Sequence, residues 1–353
     1  MPIAVAVSGG TDSLMALALL REAGHAVMAV HARFLPRRDD GLPDDSDRAA
    51  QGLAALCDRM GLPFFDLDLR AAFEAAVIAP FVAAFASGHT PNPCSQCNPH
   101  MKFGVLAEHT RSLGATRLAT GHYARLEVLA KGGVQLFPAT DHTRDQSYFL
   151  ALVPPHDLAR TVFPLSGRLK SHLAAELAAR GLAPPLPRES REVCFIPGDD
   201  YRAFLLSRQV ALSGPGPILL ADGREVGRHA GLWRHTVGQR RGLGVAWREP
   251  LYVLARDETK NALVVGPRGE LDTTGCQARG VNFLADPAVW PERLLVQTCY
   301  RQRPRPARVT VTQGPDGDVL DVAFAAPVPR PASGQTLVVR DSFGMVLAGA
   351  SLA

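Results

Sequence analysis

The stretch IAVAVSGGTDSLMALALLREAG, residues 3–24, decides how the rest of the chain is read. It begins as a short apolar run of strand length, and from Leu14 onward its apolar spacing is helical. Between the two lies Ser8-Gly9-Gly10-Thr11-Asp12-Ser13, so the order is strand, glycine turn, helix. Glycines let the backbone approach an anion closely, hydroxyls donate to its oxygens, and a helix N-terminus adds a positive field. A phosphate suits such a loop, although a plain capped turn draws on the same residue types. An aspartate inside a phosphate loop repels the anion unless a divalent cation bridges them, so Asp12 points to Mg2+. The loop has neither the Gly-Lys-Ser/Thr ending of a Walker A motif nor the G-x-G-x-x-G of a dinucleotide turn.

Working outward, HAVMAVHARF reads as a second strand, residues 45–60 as a helix and LPFFDLDL as a third strand. A helix through AAFEAAVIAPFVAAFASG precedes a loop at 90–99, and a helix near 102–113 leads to the strand ATRLATG. That unit closes at Gly121-His122-Tyr123. Strands alternating with helices predict a parallel sheet covered on both faces. After about residue 195 glycine and proline become dense, and LYVLARD, NALVVG, RVTVT, DVAF and QTLVVRD read as short strands. The expectation is an α/β domain over 1–195, a small central module over 196–272 and a β domain, barrel-like, over 273–353.

Composition narrows the class. With 353 residues, 46% hydrophobic and 20% charged, the chain is a folded globular protein and not a disordered one. No apolar run reaches the roughly 20 residues of a membrane span, and the N-terminus lacks the basic region of a signal peptide. A cytoplasmic protein is expected. The net charge of +4 is too small to announce a nucleic-acid partner. Yet only Lys102, Lys131, Lys170 and Lys260 are lysines, so 34 of the 38 basic residues are arginine. Coding bias is the more common cause of such a skew, phosphate recognition is the functional one, and clustering separates them. Arg224, Arg228, Arg234, Arg240 and Arg241 lie close together with His229 and His235, and Arg301, Arg303, Arg305 and Arg308 fall within eight residues. Clustered guanidinium groups on β modules suit an RNA backbone.

The six cysteines do not form a disulfide framework of the secreted kind. Cys94 and Cys97 make a C-x-x-C within Thr90-Pro91-Asn92-Pro93-Cys94-Ser95-Gln96-Cys97-Asn98, a loop stiffened by two prolines. His100 and Lys102 follow, and a thiol beside basic groups tends towards the reactive thiolate. No second C-x-x-C completes a zinc ribbon. Cys194 stands in SREVCFI, almost a hundred residues later. Cys57, Cys276 and Cys299 lie outside every motif and read as packing residues.

The loop resembles that of the PP-loop ATP pyrophosphatases, whose signature is SGGxDS and which split ATP into AMP and pyrophosphate. The series TPNPCSQCNPHMKFG, ATGHYAR, DQSYFL, FPLS, SREVCFI and HTVGQRRGLG, in this order in one chain, is similar to the tRNA-specific 2-thiouridylases. The resemblance runs from residue 4 to about 350. It implies that ATP activates the C2 oxygen of the wobble uridine and that sulfur then displaces AMP. Cys194 would carry the sulfur as a persulfide, loaded by an upstream sulfur carrier or cysteine desulfurase, and Cys97 would be the nucleophile that resolves it. Ala6, Val7, Ser8, Gly9, Gly10, Thr11, Asp12, Ser13, Ala32 and Gly121 match the ATP site, with Asp12 and Ser13 at Mg2+ and pyrophosphate. Asn92, Pro93 and Cys94 match the segment that cradles the target base. His122, Arg144, Asp145, Gln146, Ser147, Tyr300, Arg301 and Gln335 match positions that touch tRNA.

Departures from the family pattern are Thr11 for valine, Ala32-Arg33-Phe34-Leu35 for Met-x-x-Trp, Arg144 for lysine, Glu189 for aspartate and Cys299 for a basic residue. Cys94 replaces a common aspartate, which leaves open a second route in which Cys94, Cys97 and Cys194 ligate a [4Fe–4S] cluster with one open iron. Two further readings stay on the table. A PP-loop ligase acting on a small molecule needs neither Cys97, Cys194 nor the arginine clusters, and a silent RNA-binding protein needs no Asp12.

Overall fold

The structure, a computed structural model, describes residues 2–36, 44–129, 133–186 and 193–353. Glu189, Ser190, Arg191 and Glu192, at the start of the SREVCFI motif, lie outside the described residues. Strands β1 (Ile3–Ala6), β2 (Val27–Arg33), β3 (Phe64–Asp68), β4 (Arg117–Ala119) and β7 (Thr161–Val162) form a parallel sheet in the order β3-β2-β1-β4-β7. The last strand was not legible in the sequence because two residues carry no periodicity.

Each strand of such a sheet is covered on both faces, and β1 shows why. Ile3 and Val5 point into one core with Leu14 and Leu17 of α1 (Thr11–Glu22) and Leu53 and Leu56 of α2 (Asp45–Met60). Ala4 points into the other, packed with Phe73, Phe81, Met101 and Phe103. Those residues come from two long helical segments, 70–86 and 93–112, each interrupted by a π-helical stretch. Helix α2 opens on a capping box in which Asp44 accepts from the Asp47 amide, and it closes at Gly61. Because strand order reverses between β1 and β4, the loops after their C-terminal ends diverge and leave a crevice there.

The central module is a four-stranded sheet, β10-β11-β8-β9, built from β8 (Gly216–Leu220), β9 (Glu225–His229), β10 (Tyr252–Asp257) and β11 (Ala262–Gly266). Behind it comes a barrel of β12 (Asp272–Phe283), β13 (Leu294–Gln297), β14 (Arg305–Gly314), β15 (Gly317–Pro329), β16 (Thr336–Arg340) and β17 (Val346–Leu352). Pairing of β12 with β17 closes it and removes its open edges. A hairpin of β5 (Ala124–Val128) and β6 (Val134–Pro138) leaves the first domain and joins β17 at Leu136–Val346. Among the described residues no helix is long and apolar enough to cross a membrane.

Hydrogen bonds weld the barrel to the first domain. Tyr148 donates to the carbonyl of Thr336 at 2.7 Å, Arg340 donates to Ser147 Oγ at 3.0 Å, and Asn282 donates to the carbonyls of Ala151 and Val153. Tyr148 is buried, so losing its hydroxyl strands a buried carbonyl. Tyr148→Phe is therefore expected to cost about 1–2 kcal/mol, read as a lower urea midpoint of the full-length protein. His122, His229 and His235 are buried and held neutral, chiefly by burial, with His235 brought down to about 4. Unfolding lets each take a proton near its ordinary value of about 6.5. Stability should thus be at its full value above that pH and fall as pH drops towards 4, which a series of urea titrations would display.

Candidate active site

The loop after β1 is shaped by a close packing contact and by hydrogen bonds of Ser13. Gly9 adopts φ +84°, and a Cβ there would lie 2.9 Å from Ala49 Cβ, so the position takes glycine alone. Ser13 Oγ donates to the Gly10 carbonyl at 3.1 Å and accepts the Ser8 amide at 3.0 Å, folding the loop back on itself. Gly10 caps α1 without a side-chain bond. The first-turn amides of α1 therefore have no side-chain acceptor, which is the condition for binding an anion.

Asp12 is not isolated. Lys170 Nζ reaches its Oδ1 at 2.6 Å and the Tyr123 hydroxyl donates to the same oxygen at 3.1 Å. Lys170 begins the helix Lys170–Ala179, and its own amide donates to Asp141 Oδ2 at 2.9 Å. Neither Lys170 nor the Tyr123 hydroxyl was assigned a role from the sequence. The usable signal was compositional: in a chain of 34 arginines a retained lysine marks a place where a compact ammonium is wanted.

The turn Thr120–Tyr123 after β4 stands between this loop and the thiols. Gly121 passes so close to α1 that a Cβ would lie 2.9 Å from both Asp12 C and Ser13 N. His122, 8% exposed, points away from the loop and packs against the rings of Phe103 and Phe163. Its Nε2 lies 3.2 Å from Lys102 Nζ and its Nδ1 lies 2.7 Å from Thr120 Oγ1. An ammonium only donates, so His122 accepts at Nε2 and donates at Nδ1. Gln146 pins this turn by accepting the Tyr123 amide at 3.0 Å and donating its own amide to the Tyr123 carbonyl at 2.8 Å.

The thiols gather on the far side. Asn92 caps the Pro93–Cys97 helix by accepting the Ser95 amide at 3.2 Å, and Cys97, 9% exposed, leads directly into the π-helical stretch Asn98–Leu106. Burial raises the thiols of Cys94 and Cys97, with Lys102 acting in the opposite sense on both. Burial first, then the charges of Cys97 and Cys94, push Cys194 up to about 12, again opposed by Lys102. The three cysteines thus share one electrostatic neighbourhood across a separation of almost a hundred residues. His100 is exposed and is not among the groups acting on them. Cys94 and Cys194 are nevertheless exposed at the surface, and Cys97 alone of the three is buried.

The other expected positions are partly engaged inside the protein. Asp145 accepts from the amides of Ala139 and Ser147 and from Ser147 Oγ, and Arg144 donates its amide to the Asp141 carbonyl. Tyr300 packs on Phe149 with ring centroids 4.3 Å apart, and the Arg301 guanidinium lies over the Tyr300 ring. Gln335 donates to the Thr90 carbonyl at 2.7 Å, fastening the barrel to the thiol loop. Ala32 lies near the end of β2, partly buried on the face that carries the thiol segment. Cys57 is buried and Cys276 half-buried, and both are pushed up to about 11 by burial. Cys299 is exposed.

Gly121 offers a direct check. Gly121→Val drives a branched side chain into the backbone at Asp12–Ser13, displacing the loop while leaving both cores untouched. ATP binding, measured by equilibrium dialysis, is expected to fall at least tenfold with the circular dichroism spectrum preserved.

Comparison with known proteins agrees with this layout. The model of a family described as tRNA methyl transferase HUP domain matches residues 1–198, and one described as tRNA methyl transferase PRC-barrel domain matches residues 203–267. A protein of Nitratidesulfovibrio vulgaris named tRNA-specific 2-thiouridylase MnmA is 53% identical over 350 residues, covering 99% of this chain and 98% of that protein. Proteins of the same name from Lawsonia intracellularis and Chloroflexus aurantiacus are 44% and 40% identical, over 99% and 95% of this chain and 98% and 94% of theirs. With identity of this order along its whole length, the chain belongs to the tRNA-specific 2-thiouridylase family.

Proposed function

We infer that the protein is an ATP-dependent tRNA sulfurtransferase that converts the wobble uridine to 2-thiouridine. One observation carries this reading: a phosphate-type loop and the cysteine-bearing segments lie on opposite sides of the single turn Thr120–Tyr123, which meets Asp12 through Tyr123 and Lys102 through His122. Methyl transfer, the wording of the family descriptions, gives no use for paired thiols beside a phosphate loop. A small-molecule ligase would use the loop and leave the thiols idle.

The order of events follows from the chemistry. The C2 oxygen of uridine attacks the α-phosphorus of ATP, pyrophosphate leaves, and C2 becomes an activated adenylate. A persulfide sulfur on Cys194, softer than water and easily ionised, then attacks C2 and AMP departs. Cys97 attacks Cys194 Sγ, so the bond from Cys194 to the transferred sulfur breaks while a Cys97–Cys194 disulfide forms. A dithiol reductant returns both thiols. The persulfide is loaded by a sulfur-carrier protein or a cysteine desulfurase.

We assign ATP to Ala6 through Ser13 with Ala32 and Gly121, and the target base to Asn92, Pro93 and Cys94. Magnesium takes one or two carboxylates together with substrate phosphates, and Asp12 at the head of α1 supplies such a carboxylate. The ion would neutralise charge on the departing pyrophosphate. A [4Fe–4S] cluster needs three sulfurs converging on one point, and among the described residues no three His, Cys, Asp or Glu side chains are so placed. His122, Arg144, Asp145, Gln146, Ser147, Tyr300, Arg301 and Gln335 remain our assignments to the tRNA side. Arg303, Arg305 and Arg308 are exposed, and among the described residues none of them is in an ion pair, which supports an RNA backbone along the barrel. All six cysteines are free, as in the reducing cytoplasm where we locate the reaction.

The test is a purified reaction with tRNA, ATP and a sulfur donor, read by mass spectrometry of digested nucleosides. Cys194→Ser and Cys97→Ser are each expected to lower 2-thiouridine formation at least a thousandfold. Cys276→Ser should leave it unchanged. Substantial product from Cys194→Ser would show that another group delivers the sulfur.

A further inference from the structure

We propose that Lys102 is the charge of the sulfur site: its ammonium, hung from the neutral imidazole of His122, steadies the Cys97 thiolate as that thiolate attacks Cys194. The inference rests on the sulfurtransferase reading and adds to it a residue and a reason.

The attacking sulfur must be an anion, and the site disfavours anions. Cys97 is buried, Cys94 lies one helical turn before it, and a second negative sulfur would repel the first. Lys102 follows Cys97 by five residues, on the π-helical stretch that continues the thiol helix. Its ammonium is the cation that acts on Cys94, Cys97 and Cys194 alike. In the exchange, the Cys97–Cys194 bond forms and the bond between Cys194 and the outer sulfur breaks. The electron pair goes to the outer sulfur, already joined to C2, and leaves it reduced. Negative charge therefore passes from sulfur to sulfur, and an ammonium that acts on Cys94, Cys97 and Cys194 alike stabilises it at each stage.

His122 explains how a flexible four-carbon side chain stays in place. Its Nε2 accepts from Lys102 at 3.2 Å, while Nδ1, bonded to Thr120 at 2.7 Å, holds the ring proton. Phe103 and Phe163 fix the ring plane. A protonated imidazole could not accept from the ammonium, and burial together with Lys102 keeps His122 neutral. The composition points the same way. In a chain with 34 arginines to four lysines, a planar guanidinium was the common choice, and here a compact ammonium that fits one imidazole lone pair was kept instead.

The measurement is the rate at which each thiol of the full-length protein reacts with methyl methanethiosulfonate at fixed pH, without ATP or tRNA, resolved by peptide mass spectrometry. Lys102→Met is expected to slow Cys97 and the exposed Cys94 about tenfold, the change in thiolate fraction for one unit of acidity. The remote Cys276 should react at the wild-type rate. Lys102→Arg should recover much of the loss because it restores charge. His122→Gln, whose amide oxygen still accepts from the ammonium, should react almost as wild type, whereas His122→Phe should resemble Lys102→Met. In turnover, Lys102→Met should lower kcat and leave KM for tRNA unchanged. Wild-type rates at Cys94 and Cys97 in Lys102→Met overturn the proposal. So does equal slowing in Lys102→Arg, and so does a change confined to KM, which would make Lys102 a contact to the RNA. The His122 pair decides the matter if the lysine variants do not fold. Because the thiol rates need no catalysis, a wild-type protein that made no 2-thiouridine would end the functional reading and leave this comparison standing.

Discussion

The close approach of Gly121 to the first turn of α1 is the constraint on which the two halves of the site depend. Any side chain at that position meets the backbone of Asp12 and Ser13, so β4 and α1 can come together only through a glycine. Once they do, the residues that follow diverge. Tyr123 reaches the carboxylate of Asp12, and His122 reaches the ammonium of Lys102. One short turn thereby sets the spacing between the glycine loop to which we assign ATP and the cysteine segments to which we assign sulfur. The parallel sheet supplies the setting, since β1 and β4 are the strands at which its order reverses.

Burial and charge compete at the thiols, and burial prevails in the resting protein. Cys97 is buried, whereas Cys94 and Cys194 are exposed at the surface. In the proposed mechanism reactivity comes from a change in the sulfur itself, because a persulfide ionises far more readily than a thiol. The phosphate loop follows similar logic. Asp12 faces Lys170 and Tyr123, so its charge is balanced before a nucleotide brings more.

The thiol loop is also held from outside the first domain. The Thr90 amide donates to the Ser333 carbonyl at 2.8 Å, Gln335 donates to the Thr90 carbonyl, and Thr90 Oγ1 meets Thr236 of the central module. All three units therefore meet at the entrance to the segment that carries Cys94 and Cys97. These half-buried hydrogen bonds make the geometry of the loop depend on all three units, each worth about 0.5–1.5 kcal/mol.

Much of this was legible beforehand. The order strand, glycine turn, helix over 3–24 reappears as β1, loop and α1, the helix read over 45–60 is α2, and the dense glycines and prolines after 195 mark the β units. Local periodicity and turn chemistry suffice for such features because they depend on neighbours in the chain. The two-residue strand β7, the hairpin that joins the barrel at Leu136 and the roles of Lys170 and the Tyr123 hydroxyl were not legible. The residues concerned look ordinary alone. The scarcity of lysine does not single out Lys102 and Lys170 from Lys131 and Lys260. By itself the sequence determined that a phosphate loop, a C-x-x-C and a distant cysteine occur in one chain. Only the tertiary structure decided that Lys170 meets Asp12, that Lys102 hangs from His122, and that Cys194 shares its field with Cys97. Those pairings join residues up to 158 positions apart, and long-range contacts arise from packing the sheet and its helices, which no local pattern encodes.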